Sequence, residues 1–259
     1  MLIDSHCHLD GGGHPGADES LVRARAAGVS AFLVVGVGPT LDAARFAVEL
    51  AERRDDVRAV VGVHPHDASV LTDEMLAELE AIAQNPRVAA VGEMGLDYHY
   101  MSSPREAQQE AFRRQIALAR RVRKPIVVHT REAPADTIAI LAEEGARDVG
   151  GVIHCFSEDR PFAEKALDLD FDLSFSGIVT FKSAAPVHDV AAWAPADRIL
   201  VETDSPYLAP VPLRGKPCEP AFLVHTVRRV AALRGRPADE IALSTAENTR
   251  RRFRLGPVA

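Results

Sequence analysis

Two histidines separated by one residue stand in the segment Asp4-Ser5-His6-Cys7-His8. In an extended chain, side chains at i and i+2 share a face, so both imidazoles point one way and Cys7 the other. Such a pair offers two ligands to a divalent ion at little entropic cost. His64, His66, Glu93, His129, His154 and Asp204 each end or follow a short apolar run. Each has an ordinary alternative when taken alone. A lone histidine is more often a structural, hydrogen-bonded residue, Glu93 a salt-bridge partner, and Asp204 a helix N-cap ahead of Ser205-Pro206. The combination points to metal-assisted chemistry. Imidazoles with carboxylates suit zinc, manganese, magnesium or iron, and not soft metals.

The elements that must position these residues follow from the apolar pattern. Runs of β-forming residues fall at about 1–4, 31–36, 57–63, 88–92, 126–129, 151–154, 171–176 and 198–203. They are apolar throughout, as strands covered on both faces of a parallel sheet are. Amphipathic segments of helical length lie between them. One opens at Ser103-Pro104-Arg105-Glu106, read as an N-cap serine, proline at the first helical position and glutamate three residues on. Its residues Phe112, Ile116 and Ala119 recur at helical spacing, and Arg120 to Lys124 form a solvated basic end. Helices over about 219–234 and 238–253 close the chain. Eight strand–helix units in 259 residues give the arithmetic of a (β/α)8 TIM barrel with closing C-terminal helices, one domain over 1–259. A doubly wound sheet is the alternative, but no G-x-G-x-x-G follows any strand. In a barrel the C-terminal strand ends converge on one rim, where active sites are built.

Composition excludes several classes. Apolar residues make up 47% and charged residues 26%, which is globular and not disordered. The longest apolar runs are too short to cross a bilayer, and the first residues lack the basic and apolar regions of a signal peptide. Three cysteines without C-x-x-C spacing make neither a disulfide framework nor a zinc knuckle, and they suit a cytoplasmic protein. A net charge of −7 speaks against gripping long duplexes by charge alone.

The ordered motifs SHCHLD (5–10), GVHPHDA (62–68), VGEMGLDYHY (91–100), PIVVHTREA (125–133), GVIHCFS (151–157), VETDSPYLAP (201–210) and PLRGKPCEP (212–220) resemble the TatD family. These are metal-dependent hydrolases of the amidohydrolase superfamily, often described as deoxyribonucleases. The resemblance runs from Ser5 to Asn248-Thr249. It implies two divalent ions (Mg, Mn or Zn): His6, His8 and Asp204 on one, His129 and His154 on the second, and Glu93 bridging both. Many relatives in the superfamily bridge with a carboxylated lysine, but no lysine lies near the fourth strand here and Glu93 takes that place. Cys218 stands where the family more often has asparagine, which bears on a loop contact. Two such ions bring four positive charges against Glu93 and Asp204, so an acidic protein can still hold a phosphate.

The reaction such a site supports is hydrolysis by a metal-activated water, with Asp204 and Glu93 as its catalytic carboxylates. The resemblance points to a 3′–5′ exonuclease on single-stranded DNA or oligonucleotide ends, with no membrane partner. The alternative is an amidohydrolase or deacylase that cleaves an amide or ester with the same site. His64, His66, Tyr98, Arg131 and Arg214 lie in the motif loops as candidate substrate contacts. For the arginines a structural salt bridge is the competing role, and for Tyr98 and His99 it is loop packing. Glu202, two residues before Asp204, is either a partner that orients a ligating histidine or an ordinary barrel-interior carboxylate. Cys7 and Cys155 are expected as buried, reduced thiols.

Overall fold

Eight short strands alternate with helices along the chain, and a computed structural model describes residues 1–10 and 16–256. The order is β1 (Leu2–Cys7), α1 (Ala17–Ala26), β2 (Val29–Gly36), α2 (Asp42–Arg53), β3 (Val57–Val61), α3 (Asp73–Ala83), β4 (Val88–Asp97) and α4 (Arg105–Val122). There follow β5 (Ile126–Arg131), α5 (Pro134–Glu143), β6 (Gly151–Ile153), α6 (Arg160–Asp168), β7 (Phe171–Phe175), α7 (Ala185–Trp193), β8 (Ile199–Val201), α8 (Leu223–Arg234) and α9 (Ala238–Phe253). The strands form one parallel sheet in the order β1 to β8, the TIM-barrel arrangement. That sequential order excludes the doubly wound alternative, in which strand order reverses.

The strands are apolar for the reason the sequence suggests. All ten residues of β4 and all six of β1 are buried, so neither strand has a solvent face to alternate towards. The helices are one-sided: α2 buries Ala44, Ala47, Leu50 and Ala51, three or four residues apart. In α4, Phe112, Ile116 and Ala119 are fully buried as expected.

The chain divides into two compact units. The first comprises Met1–Val34, His154–Ala163 and Asp172–Ala259. Within it the last strand meets the first: Cys7 pairs in parallel with Ser205, Asp204 donates its N–H to the His6 carbonyl at 2.9 Å, and His8 donates to the Ser205 carbonyl at 2.8 Å. Asp172 on β7 has no solvent exposure and holds the guanidinium groups of Arg198, Arg251 and Arg252. The second unit comprises Val35–Ile153 and Glu164–Phe171. Its β4 and β5 are in register from Met94↔Val128 to Asp97↔Arg131.

Several boundaries differ from expectation, and two of them move a functional residue. β1 runs on to Cys7 and β4 to Asp97, so His6 and Glu93 lie inside strands and not after them. Ser103 does not cap α4. The residue before the helix is Pro104, while the Ser103 hydroxyl donates to the His66 carbonyl at 2.8 Å and accepts the Ser69 N–H at 3.1 Å. A polar tie to the His66 loop has taken the hydroxyl that a capping box would use. The helix expected from 219 begins at Leu223, because Pro220–Phe222 form a 3-10 turn ahead of it. The basic end of α4 is paired and not merely solvated: Arg120 holds Asp148, Arg121 holds Glu80, and the Lys124 ammonium reaches the Asn85 and Val88 carbonyls.

Candidate metal centre

The first unit gathers His6, His8, His154, Glu202 and Asp204. The period of two along the end of β1 brings Nε2 of His6 and Nε2 of His8 to 3.3 Å from each other. Each of these nitrogens lies 3.7 Å from Oδ1 of Asp204. Ligand atoms about 2.0–2.1 Å from a tetrahedral ion stand about 3.4 Å from one another, so this triangle has the dimensions of one coordination face. Asp204 reaches the position because the chain turns sharply after β8: its own φ is +54°, which side chains rarely adopt and which clusters at functional sites. Asp4, buried on β1, steadies the turn by accepting the Thr203 N–H at 2.9 Å and the Thr203 hydroxyl at 2.6 Å.

His154 stacks on His6 with ring centroids 4.0 Å apart. Its Nδ1 lies 3.2 Å from Oε1 of Glu202, which also accepts the Cys155 N–H at 2.7 Å. Burial alone would raise the Glu202 carboxyl, but His154 and His6 outweigh it and hold the group below its usual value. Glu202 is therefore ionised and can only accept, so the proton of His154 sits on Nδ1 and the lone pair on Nε2. The second carboxylate oxygen, Oε2 of Glu202, is buried without a hydrogen-bond partner. Nitrogen and carboxylate donors, packed together with a buried oxygen lacking a partner, fit a divalent cation.

The second unit gathers His64, His66, Glu93, Asp97 and His129. Oε1 of Glu93 lies 2.9 Å from Nδ1 of His129 and 3.4 Å from Nε2 of His64. Ligand atoms of these three residues fall within 4.8 Å of one another, a second group able to hold a metal ion. Burial pushes the His64 imidazole down to about 4, so it is neutral at neutral pH and its lone pair is available. Gly95, paired with His129 across β4 and β5, is obligatory: a Cβ there would lie 2.0 Å from the His129 carbonyl oxygen.

Three residues that build this half escape sequence reasoning. Asp97 is 1% exposed and stands 3.3 Å from Nε2 of His129 and 2.9 Å from Nε2 of His66. Although burial would raise it, hydrogen bonds from His129, the Tyr100 N–H and His66 hold its carboxyl below the usual carboxylate range. The available signal was period two along a longer strand, because Glu93, Gly95 and Asp97 share one face of β4. The other two are the glutamines of α4. Gln108 accepts the Asp97 N–H at 2.7 Å and donates to the Asp97 carbonyl at 3.0 Å, and Gln115 does the same for Val63 at 2.8 and 3.0 Å. Their side-chain amides imitate a neighbouring strand, one at Asp97 and the other just before His64.

The remaining candidates are dispersed. Tyr98 donates its hydroxyl to Asp136 at 2.7 Å and carries Arg105 over its ring, while His99 pairs with Glu132. Arg131 stacks on Tyr100 at 4.6 Å and Arg214 on Phe181 at 4.1 Å, in place of the salt bridges weighed for them. Cys155 is half-buried, a departure from the expectation. It lies in a turn with φ of +45° beyond β6, its thiol 3.1 Å from the Ser176 hydroxyl. Cys7 and Cys218 are buried, and burial pushes both thiols up. Cys218 seats its loop by donating its N–H to the Pro206 carbonyl at 2.9 Å.

The family model described as TatD related DNase matches residues 3–254. The chain belongs to the TatD family. It is 42% identical over 257 residues to the uncharacterized metal-dependent hydrolase YabD of Bacillus subtilis, covering 98% of this chain and all of the relative. It is 38% identical over 244 residues to the 3′-5′ ssDNA/RNA exonuclease TatD of Erwinia tasmaniensis, covering 92% and 93%. The crystal structure of YjjV, a TatD homolog from Escherichia coli K12, superposes with a TM-score of 0.91 at 31% identity, covering 98% of both chains. The TatD-family chain is thus a metal-dependent hydrolase, with histidine–carboxylate clusters able to hold metal ions. Among the described residues, no helix is long and apolar enough to cross a membrane.

Proposed function

We propose that this protein is a divalent-metal phosphodiesterase, a 3′–5′ exonuclease that acts on single-stranded DNA or oligonucleotide ends. The observation that carries the reading is the donor triangle of His6, His8 and Asp204, with sides of 3.3, 3.7 and 3.7 Å. In this reading those three residues hold one ion, His129 and His154 a second, and Glu93 serves both. The metal is Mg²⁺, Mn²⁺ or Zn²⁺. Bound there, divalent ions supply the Lewis acidity that brings a water's pKa towards neutrality and steadies charge on a phosphodiester.

The chain's own residues do the rest. Glu202 keeps the proton of His154 on Nδ1 and so presents its Nε2. Asp97 performs the same service for His129, holding Nε2 so that Nδ1 faces Glu93. Asp204 orients the attacking water and accepts its proton. His64 and His66 contact the phosphodiester. Arg131 and Arg214, each resting on an aromatic ring, present guanidinium groups to phosphate oxygens. The Erwinia relative supports the choice of single-stranded substrate, since it is named as an ssDNA/RNA exonuclease.

The test is end-labelled oligonucleotide with Mg²⁺ or Mn²⁺, run in parallel with N-acyl and aminoacyl esters. Stepwise release of mononucleotides from the 3′ end is the expected result. No nucleotide release at about two metals per chain rejects the nuclease, and turnover of the acyl substrates would replace it with an amidohydrolase.

A further inference from the structure

Beyond the metal cluster, the first unit carries a rim where aromatic and cationic side chains stand together. Tyr207 follows Asp204 by three residues and donates its N–H to the Asp204 carbonyl at 2.9 Å. Its ring meets the His8 ring edge-on at 6.1 Å, yet the residue is 60% exposed. The loop after β8 continues to Arg214 and Lys216, and the loop after β7 holds Phe181 and Lys182. These two loops are fastened to each other. Thr180 accepts the Val211 N–H on its hydroxyl at 2.9 Å, and a Cβ on Gly177 would fall 1.9 Å from the Leu208 carbonyl oxygen. Arg214 lies over the Phe181 ring at 4.1 Å, next to Lys182 in sequence.

Charge pairing sets these cations apart. On α4, Arg113, Arg114, Arg120 and Arg121 each hold a carboxylate. Lys182, Arg214 and Lys216 are exposed, and among the described residues their side chains hold none. In a chain of net charge −7, three unneutralised cations on two fastened loops beside an exposed ring form a local surface for a polyanion that also carries flat, apolar rings. Single-stranded nucleic acid is that polymer: its bases stack on aromatic side chains and its phosphates meet lysine and arginine.

We propose that this rim is the track along which a single-stranded nucleic acid reaches the site, with the 3′-terminal base stacked on Tyr207 and the following phosphates held by Arg214, Lys182 and Lys216. The inference rests on the phosphodiesterase reading and adds where, and through which contacts, the strand is gripped. A strand held by a stacked ring and point charges is bound with little regard to base sequence and strongly according to salt.

The test is fluorescence anisotropy of the metal-loaded protein with labelled, phosphorothioate-linked dT12, which resists cleavage, over a range of NaCl. Each lost phosphate contact on a single strand lowers the slope of log Kd against log salt by about 0.7. The variant Lys182→Ser with Lys216→Ser is therefore expected to lower it by about 1.4. A second probe carries non-planar 5,6-dihydrothymine at the 3′ end. The wild type and Tyr207→Phe are expected to bind dT12 at least about fivefold more tightly than this probe, and Tyr207→Leu to bind both alike. An unchanged salt slope in the lysine variant, or a preference for thymine kept by Tyr207→Leu, overturns the track. Turnover on a cleavable strand is read separately. Cleavage with no change in slope leaves the hydrolase reading standing without the track, and the expected binding without cleavage keeps the track and rejects that reading.

Discussion

His154 and Glu202 form a buried pair, Nδ1 to Oε1 at 3.2 Å, with no solvent exposure at the glutamate. The carboxylate two residues before Asp204 thus decides which nitrogen of His154 carries a proton, and it also receives the N–H of the turn that follows.

Replacing Glu202 by Gln keeps the shape and removes the charge that fixes that tautomer. We expect metal affinity or turnover to fall by about 10–100-fold, with the fold retained. Metal content per chain after dialysis, measured beside circular dichroism, checks this. A variant with wild-type metal content and turnover would reduce Glu202 to a barrel-interior carboxylate.

Asp204→Asn and Glu93→Ala separate proton transfer from metal holding. Asp204→Asn keeps an oxygen ligand but cannot take up the water's proton, so kcat is expected to fall about 10²–10⁴-fold. Glu93→Ala is expected to lose bound metal and, with it, the rise in Tm that divalent ions give the wild type. Differential scanning fluorimetry with and without Mn²⁺, alongside hydrolysis assays, reads both.

Gln108 satisfies both backbone groups of Asp97 from α4. Gln108→Met preserves volume but leaves a buried N–H and C=O unmet, a cost of about 2–4 kcal/mol for the two. Urea unfolding measures it. Because Asp97 orients His129, activity at low urea is expected to decline as well, whereas the half-buried control Gln109→Met, whose amide reaches only side chains, should lose less.

Lys124 provides a pH dependence away from the metal cluster. Burial pushes its ammonium down to about 8, whereas the unfolded chain titrates near 10.4. Between these values the unfolded state binds the extra proton, so this group makes stability rise with pH from about 8 to about 10. Below pH 8 both states are charged and the group adds no slope. The Tm difference between the wild type and Lys124→Met is therefore expected to shift in favour of the wild type across that window. A difference that stays flat would show that Lys124 keeps an ordinary value.

The sequence disclosed the eight runs and the ligand types, because each run is apolar throughout and six of them end in or lead into a histidine or carboxylate. It understated the strands that matter most. β4 continues through Glu93 to Asp97, whose polar residues face the barrel interior and so look, in one dimension, like the start of a loop. Asp97 therefore lies inside VGEMGLDYHY with nothing local to give it a role. Gln108 and Gln115 were invisible because glutamine on a helix normally reads as solvated; nothing local says that an amide will face a strand end. Ser103 followed a genuine capping pattern and was diverted by the His66 carbonyl, a tertiary partner that no local rule contains. Tyr207 lies in VETDSPYLAP, but its exposure beside His8 is a matter of three dimensions.

The seam where Cys7 pairs with Ser205 also orders events during synthesis. His6 and His8 leave the ribosome long before Asp204, their carboxylate partner, which lies just beyond β8. The triangle of donors is therefore absent from every nascent chain that ends before Asp204. Metal capture by this triangle is deferred until the segment after β8 has docked beside β1.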